Sequence, residues 1–290
     1  MPETYSAPAP AKVNLSLEVL ARRADGYHEI VTVLQALALA DRVSITFGER
    51  HGITASGPFA AGTPCDQANL AWRAAEALAA SLGRSTGALA IHLQKEIPPA
   101  GGLGGGASDA ATTLRLLQRA WPEATEAQLL AAATTVGSDE AFFLVGGTAL
   151  AEGRGERVRA LPALPEHGVV LFIPPGTIER KTPRMFAALS VLPFDSGSVS
   201  GRFVSEPPTR VQSQDVYNSF ERVAFDLFPD LAGLWEELEV RTRQPVRLAG
   251  AGPTLFWIGL PHEAPHIAAA AAGAACTIIE TSTAESLWRP

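Results

Sequence analysis

Pro98-Pro99-Ala100-Gly101-Gly102-Leu103-Gly104-Gly105-Gly106-Ala107-Ser108-Asp109-Ala110 places five glycines between two regular runs. Before it, Leu89, Ile91 and Leu93 alternate with Ala90, His92 and Gln94, the period of a half-buried strand. After it, Ala110, Leu114 and Leu117 recur at helical spacing, so the loop runs into a helix N-terminus. Free N–H groups and a partial positive charge at a helix start attract anions, and glycines let the backbone come close to one. The stretch reads as a phosphate cradle, with Ser108 placed to add a hydroxyl toward a phosphate or a bound Mg²⁺. The alternative is a flexible glycine turn, against which the placement between strand and helix argues.

Two familiar phosphate loops do not fit. A Walker A loop ends in Gly-Lys-Ser/Thr, and no lysine lies between Gly101 and Ala120. Gly102-Leu103-Gly104 with Ala107 can be written as a dinucleotide fingerprint, but that motif needs a following strand that ends in an acidic residue. Here Trp121-Pro122-Glu123-Ala124-Thr125 is a turn, and a second helix follows, with Thr125 and Gln128 as its capping box and Gly137 as its stop.

Upstream, Val13, Leu15, Leu17 and Val19 alternate with Lys12, Asn14, Ser16 and Glu18, which predicts a strand with one apolar and one polar face. Lys12 and Asn14 then project from the same side. The simplest reading of that side is a solvated face; its nearness to a phosphate loop favours a site. Arg22 to His28 contains the turn signal Asp25-Gly26 and delivers Tyr27 and His28 to the next strand. Two strands are expected at 30–39 and 42–47, joined at Ala40-Asp41, and a helix from Asp66, its N-cap, to Leu82. Ser138-Asp139 opens a short apolar helix, where Asp139 by itself reads as a cap.

A boundary falls at Leu161-Pro162-Ala163-Leu164-Pro165, giving expected domains of 1–160 and 161–290. In the second, Val169–Ile173 is a buried strand, 196–214 a long polar loop, and Pro229 the start of a helix. The turn Leu248-Ala249-Gly250-Ala251-Gly252-Pro253 precedes a strand over 254–258, a helix over 262–275 and a last strand from Thr277. This alternation is that of an α+β sandwich. A hydrophobic fraction of 47% and a charged fraction of 18% describe an ordinary globular protein, and a net charge of −7 without a basic stripe argues against nucleic acid as a partner. No apolar run is long enough to span a membrane, no signal peptide opens the chain, and two distant cysteines, Cys65 and Cys276, fit a cytoplasmic setting. There are only three lysines, Lys12, Lys95 and Lys181, which makes each worth following.

Taken together, Pro10-Ala11-Lys12-Val13-Asn14-Leu15, the loop from Pro98 to Ala110, and Leu248 to Pro253 resemble the GHMP kinase family. Arg23-Ala24-Asp25-Gly26-Tyr27-His28, Ser138-Asp139, Gly146-Gly147-Thr148, Gly153-Arg154-Gly155-Glu156, and Asn218 with Glu221 narrow the likeness. They are similar to those of members that use ATP and Mg²⁺ to phosphorylate the 2-hydroxyl of a cytidine diphosphate ester of methylerythritol, in the non-mevalonate isoprenoid pathway. The resemblance implies an N-terminal domain like the second domain of ribosomal protein S5 and a ferredoxin-like C-terminal domain, with ligands between them. It implies Asp139 as catalytic aspartate and Lys12 as its partner. Pro98, Gly101, Gly102, Leu103, Gly104, Gly105, Gly106 and Ser108 then hold ATP phosphates, with Lys95 and Asn69 near the adenine. Asn14 and His28 contact the substrate, and Tyr27 with Phe186 sandwiches the cytosine. No metal ligand is assigned. The chain departs from the pattern at Glu140-Ala141, where Val-Pro is usual, and at Ala100 and Ala107, where Gly and Ser are more frequent. Another small-alcohol kinase of the family, or a catalytically silent member that binds ligand, remain the alternatives.

Overall fold

The computed structural model describes residues 3–48, 51–176 and 181–286. In chain order its elements are β1 (Thr4–Arg22), β2 (His28–Phe47), β3 (Gly52–Ser56), α1 (Leu70–Ser81), β4 (Leu89–Gln94), α2 (Gly105–Ala120), α3 (Glu126–Val136), α4 (Glu140–Val145), β5 (Thr148–Gly153) and β6 (Arg157–Ala160). Then follow β7 (Gly168–Ile173), α5 (Lys181–Leu189), α6 (Ser198–Ser205), β8 (Tyr217–Asn218), α7 (Glu221–Leu227), α8 (Leu231–Thr242), β9 (Arg247–Leu248), β10 (Leu255–Gly259), α9 (Ala264–Ala270) and β11 (Thr277–Ser282).

Strands β1 to β6 and β8 form one sheet, ordered β3-β4-β2-β1-β8, with β5 and β6 attached to β2. β2 is a single strand of 20 residues where two were expected. Its length lets Arg42–Phe47 pair with β4, Ile30–Gln35 pair with β5, and the opposite edge pair with β1. Ala40-Asp41 does not break it, because Asp41 is buried as an ion-pair partner rather than turned to water. Strands β7, β9, β10 and β11 make an antiparallel sheet of their own, ordered β11-β7-β10-β9.

α1 to α4 cover one face of the large sheet around Leu78, Leu114, Leu117 and Phe142. The N-cap of α1 falls three residues later than expected. Asn69 Oδ1 accepts the Ala71 N–H at 2.9 Å and caps the helix, while Asp66 is used in a preceding turn, accepting from Ala68 N. The capping box of Thr125 and Gln128 forms as the spacing predicts. Residues 196–214 are not one long loop. Gly197 N-caps α6, whose Ser200 is fully buried against β1, with its hydroxyl 2.8 Å from that of Ser16 and its N–H 2.8 Å from Glu18.

That packing also corrects the reading of β1. Lys12, Asn14, Ser16 and Glu18 are each 4% exposed or less, so the polar face is covered by later parts of the chain, not solvated. Among the described residues no helix is long and apolar enough to cross a membrane.

Candidate active site

The glycine loop is held on both sides. The Lys12 N–H donates to Leu103 O at 2.9 Å, fixing the loop to β1 beside a register shift between Pro10 and Lys12. On its other side Gly102 presses on the second glycine turn: at its φ of +88°, a Cβ would lie 2.0 Å from Ala249 O. Gly104 N-caps α2 in the left-handed region, φ +77°, without a side-chain cap. The first turn of α2 therefore keeps its donors for something else. Asn218 supports the second turn by donating to Leu248 O at 2.9 Å and Gly250 O at 2.8 Å. Glu221 accepts the Leu248 N–H at 3.0 Å, so two residues singled out only by resemblance acquire a structural role.

Two cavities lie on either side of the loop. One, of about 540 Å³, is lined by residues 97–107 together with Gly62, Pro64, Asn69, Lys95 and Asp109. The other, of about 780 Å³, takes in Lys12, Asn14, Tyr27, His28, Asp139 and Phe186. Gly102, Gly104 and Thr182 line both, which makes the loop and the first residues of α5 a wall that the two cavities share.

In the larger cavity, Lys12 Nζ stands 3.8 Å from Asp139 Oδ2 and donates to Asn14 Oδ1 at 2.9 Å; Asn14 in turn donates to Thr32 Oγ1 at 2.8 Å. Burial lowers the Lys12 pKa and the Asp139 charge offsets part of that. Asp139 occupies the N-cap position of α4, yet its carboxylate caps nothing and is 49% exposed into the cleft. The capping role that its position suggests is thus absent, and the carboxylate faces the cleft beside Lys12 instead. Among the described residues, Asp139 is the single carboxylate on this cavity wall, against four cations, Lys12, Arg22, Arg154 and Lys181. Such a lining favours an anionic ligand.

The aromatic part differs from the expected sandwich. His28, not Tyr27, stacks on Phe186, with ring centroids 4.7 Å apart and planes 15° from parallel. His28 Nε2 is 2.8 Å from Ser190 Oγ, and its pKa is lowered by burial and by Arg22. Tyr27 is 52% exposed at the rim, with the Arg154 guanidinium 5.1 Å from its ring centroid.

Around the smaller cavity, two residues expected near the adenine have their side chains occupied. Asn69 caps α1 and donates to Pro64 O at 2.7 Å. Lys95 is buried between Asp109, at 2.5 Å, and Asp41. With two carboxylates on one ammonium, the Asp109 pKa is pushed up to about 7 by burial and by Asp41, while both carboxylates raise that of Lys95. Ser108 is fully buried and lines neither cavity; its hydroxyl has no hydrogen-bond partner among the described residues. The sequence marks Lys181 only by the scarcity of lysine, and it stands in the larger cavity.

A glycine loop at a helix start shared by two cavities, one carrying a lysine–aspartate pair, is the arrangement of an ATP-dependent kinase of small molecules. Residues 69–147 match the family model described as GHMP kinases N terminal domain. The chain belongs to the GHMP kinase family. It is 39% identical over 254 residues to 4-diphosphocytidyl-2-C-methyl-D-erythritol kinase of Dehalococcoides mccartyi, covering 86% of this chain and 87% of that one. The enzyme of the same name from Bacillus subtilis is 36% identical over 253 residues, 86% of each. A crystal structure of 4-(cytidine 5'-diphospho)-2C-methyl-D-erythritol kinase superposes with a TM-score of 0.76 at 34% identity, over 96% of this chain and 99% of that one. The Methanococcus jannaschii mevalonate kinase, at 12% identity and a TM-score of 0.68 over 98% and 99%, shares the fold.

Proposed function

We propose that the protein transfers the γ-phosphoryl group of ATP to the 2-hydroxyl of 4-diphosphocytidyl-2-C-methyl-D-erythritol, as the names of its relatives suggest. The observation that carries this reading is the larger cavity, where the Lys12–Asp139 pair at 3.8 Å shares a wall with the glycine loop and a stacked His28–Phe186 pair lies further out. ATP sits in the smaller cavity, its phosphates on the N–H groups of residues 101–106. Asp139 takes the proton of the substrate hydroxyl, and Lys12 orients it and offsets the charge that builds up in transfer. Asn14 holds Lys12 in place and reaches toward the substrate. Tyr27, His28 and Phe186 surround the base, and Arg22 and Arg154 meet the diphosphate. Lys95 and Asn69 shape the nucleotide cavity through the backbone they anchor.

Mg²⁺ accompanies the ATP in this reading. No group of three or more His, Cys, Asp or Glu suited to a metal occurs among the described residues, which fits a cation that keeps its waters and is held mainly by phosphates. Among the described residues of the cleft, Asp139 is the carboxylate that would face the cation, which would supply neutralisation of phosphate charge. We also place the domain division at 160/161, with an S5-like first domain, a ferredoxin-like second one and β8 crossing back to pair with β1. Free thiols at Cys65 and Cys276 accord with a cytoplasmic setting.

The test is ADP release by the purified protein with Mg²⁺-ATP and the cytidine diphosphate ester, its uridine counterpart, homoserine, mevalonate and galactose. Turnover of the cytidine ester with at least a hundredfold preference over the others is expected. A hydrogen-bonding pocket can discriminate to that degree. Turnover of another alcohol instead would reassign the substrate, and no turnover at all would make the chain a ligand-binding member.

A further inference from the structure

Lys181 opens α5 and lines the larger cavity together with Lys12 and Asp139. Its neighbour Thr182 lines both cavities, so the lysine stands at their junction. Its ammonium donates to the backbone carbonyl of Gly252, in the turn that presses on the glycine loop. Among the described residues it has no carboxylate within ion-pair distance. Lys95, by contrast, is buried and held by two aspartates, while Lys181 is partly exposed. Lys95 is a neutralised structural cation, whereas Lys181 is a partly buried cation that, among the described residues, bonds only to a carbonyl, with Asp139 acting on it from beyond ion-pair distance. Removing a charge from water without a counter-charge is unfavourable, and an arriving anion relieves it.

We propose that Lys181 is a further catalytic residue, leaving Gly252 O to contact the phosphoryl group in transit between the two cavities. This deepens the kinase reading and rests on it. In the step, the bond from the γ-phosphorus to the β–γ bridging oxygen breaks and one from phosphorus to the acceptor oxygen forms. The acceptor's proton passes to Asp139, and ADP leaves with the negative charge of the bridging oxygen. The transferred group spreads negative charge over its outer oxygens, so a second cation lining the cavity beside the glycine loop acts where charge develops. Lys12 and Lys181 then flank the group from β1 and α5. The Lys181 pKa, brought down to about 8 by burial and by Lys12 and partly restored by Asp139, supports the same placement. An anion between the two lysines raises it again.

Two measurements on the full chain test this. The first is mass-mapped acylation of the amines at pH 8, where three lysines give a simple readout. Lys181 is expected to react more readily than Lys12 or Lys95 at that pH, and to be protected several-fold by Mg²⁺ and a non-hydrolysable ATP analogue. The second is kinetics of Lys181→Gln and Lys181→Arg. Gln keeps a donor for Gly252 O without charge and should lower kcat roughly 10²-fold with the ATP analogue's Kd within about threefold. Arg should recover at least tenfold of that loss. Lys181→Gln with near-parental kcat, or no protection by the nucleotide, would overturn the proposal. If the parent uses an alcohol other than the cytidine ester, the substrate reading fails while both measurements still decide the role of Lys181.

Discussion

Asp139 and Lys12 show how one pair of side chains is prepared by what surrounds it. The lysine is sequestered on β1 with Asn14 as its nearest partner, and the aspartate, half-exposed, comes from the head of α4. Asp139→Asn keeps size and removes the proton acceptor, so kcat is expected to fall roughly 10²-fold or more with nucleotide affinity near the parent's. Calorimetry beside steady-state kinetics checks it, and near-normal turnover would take Asp139 out of the chemistry. Lys12→Met removes a buried charge whose own desolvation is unfavourable. Activity should drop comparably while the melting temperature holds or rises; lost stability with full specific activity would make Lys12 structural.

At the scale of elements, the sequence speaks clearly where chemistry and periodicity coincide. The strand–glycine–helix order around α2 is legible because glycine freedom, a helix start and apolar spacing all lie within some twenty residues. What escaped it depends on partners distant in the chain. The polar side of β1 reads as solvated until α6 is seen to pack on Ser16 and Glu18. Asp41 looks like a turn residue until Lys95, 54 positions away, is found beside it. Lys181 had no motif, because its setting is made by Gly252 and Lys12. The loop's function calls for a substitution that leaves the scaffold intact. Gly104 is unsuited, since a Cβ there meets the Phe143 ring at 2.8 Å and Lys12 Cγ at 3.1 Å. Gly106 lines the smaller cavity and its Cβ would meet only Leu70 Cδ1, at 3.3 Å. Gly106→Val is expected to weaken ATP binding at least tenfold by crowding the phosphates off the N–H groups, with a small change in melting temperature. Unaltered affinity in calorimetry would reduce the loop to a turn.

Across the whole molecule, buried acids give stability a pH dependence that the sequence does not announce. Asp109 under the loop, Glu140 behind Asp139 and Glu221 beneath the second glycine turn all have their pKa pushed up to about 7, chiefly by burial. For Glu140, Asp139 adds to the rise while Arg73 and Arg154 oppose it. The folded state holds such a proton more tightly than the unfolded chain, so the penalty of burying the ionised form is absent below about pH 4.5. It grows through the interval and is complete above about 7. Glu140 adjoins Asp139 at the head of α4, which makes it the acid to replace. Its shift from 4.5 to about 7 corresponds to about 3 kcal/mol at most above pH 7. Glu140→Gln keeps the shape and cannot ionise. The parent's melting temperature should therefore fall between pH 6 and pH 8. The variant should match the parent near pH 5 and exceed it by several degrees at pH 8. Comparing the two proteins at each pH cancels the opposite trend of His28, whose lowered pKa makes the fold less stable as acid protonates it. A difference of equal size at pH 5 and pH 8 would mean that Glu140 does not titrate in this range.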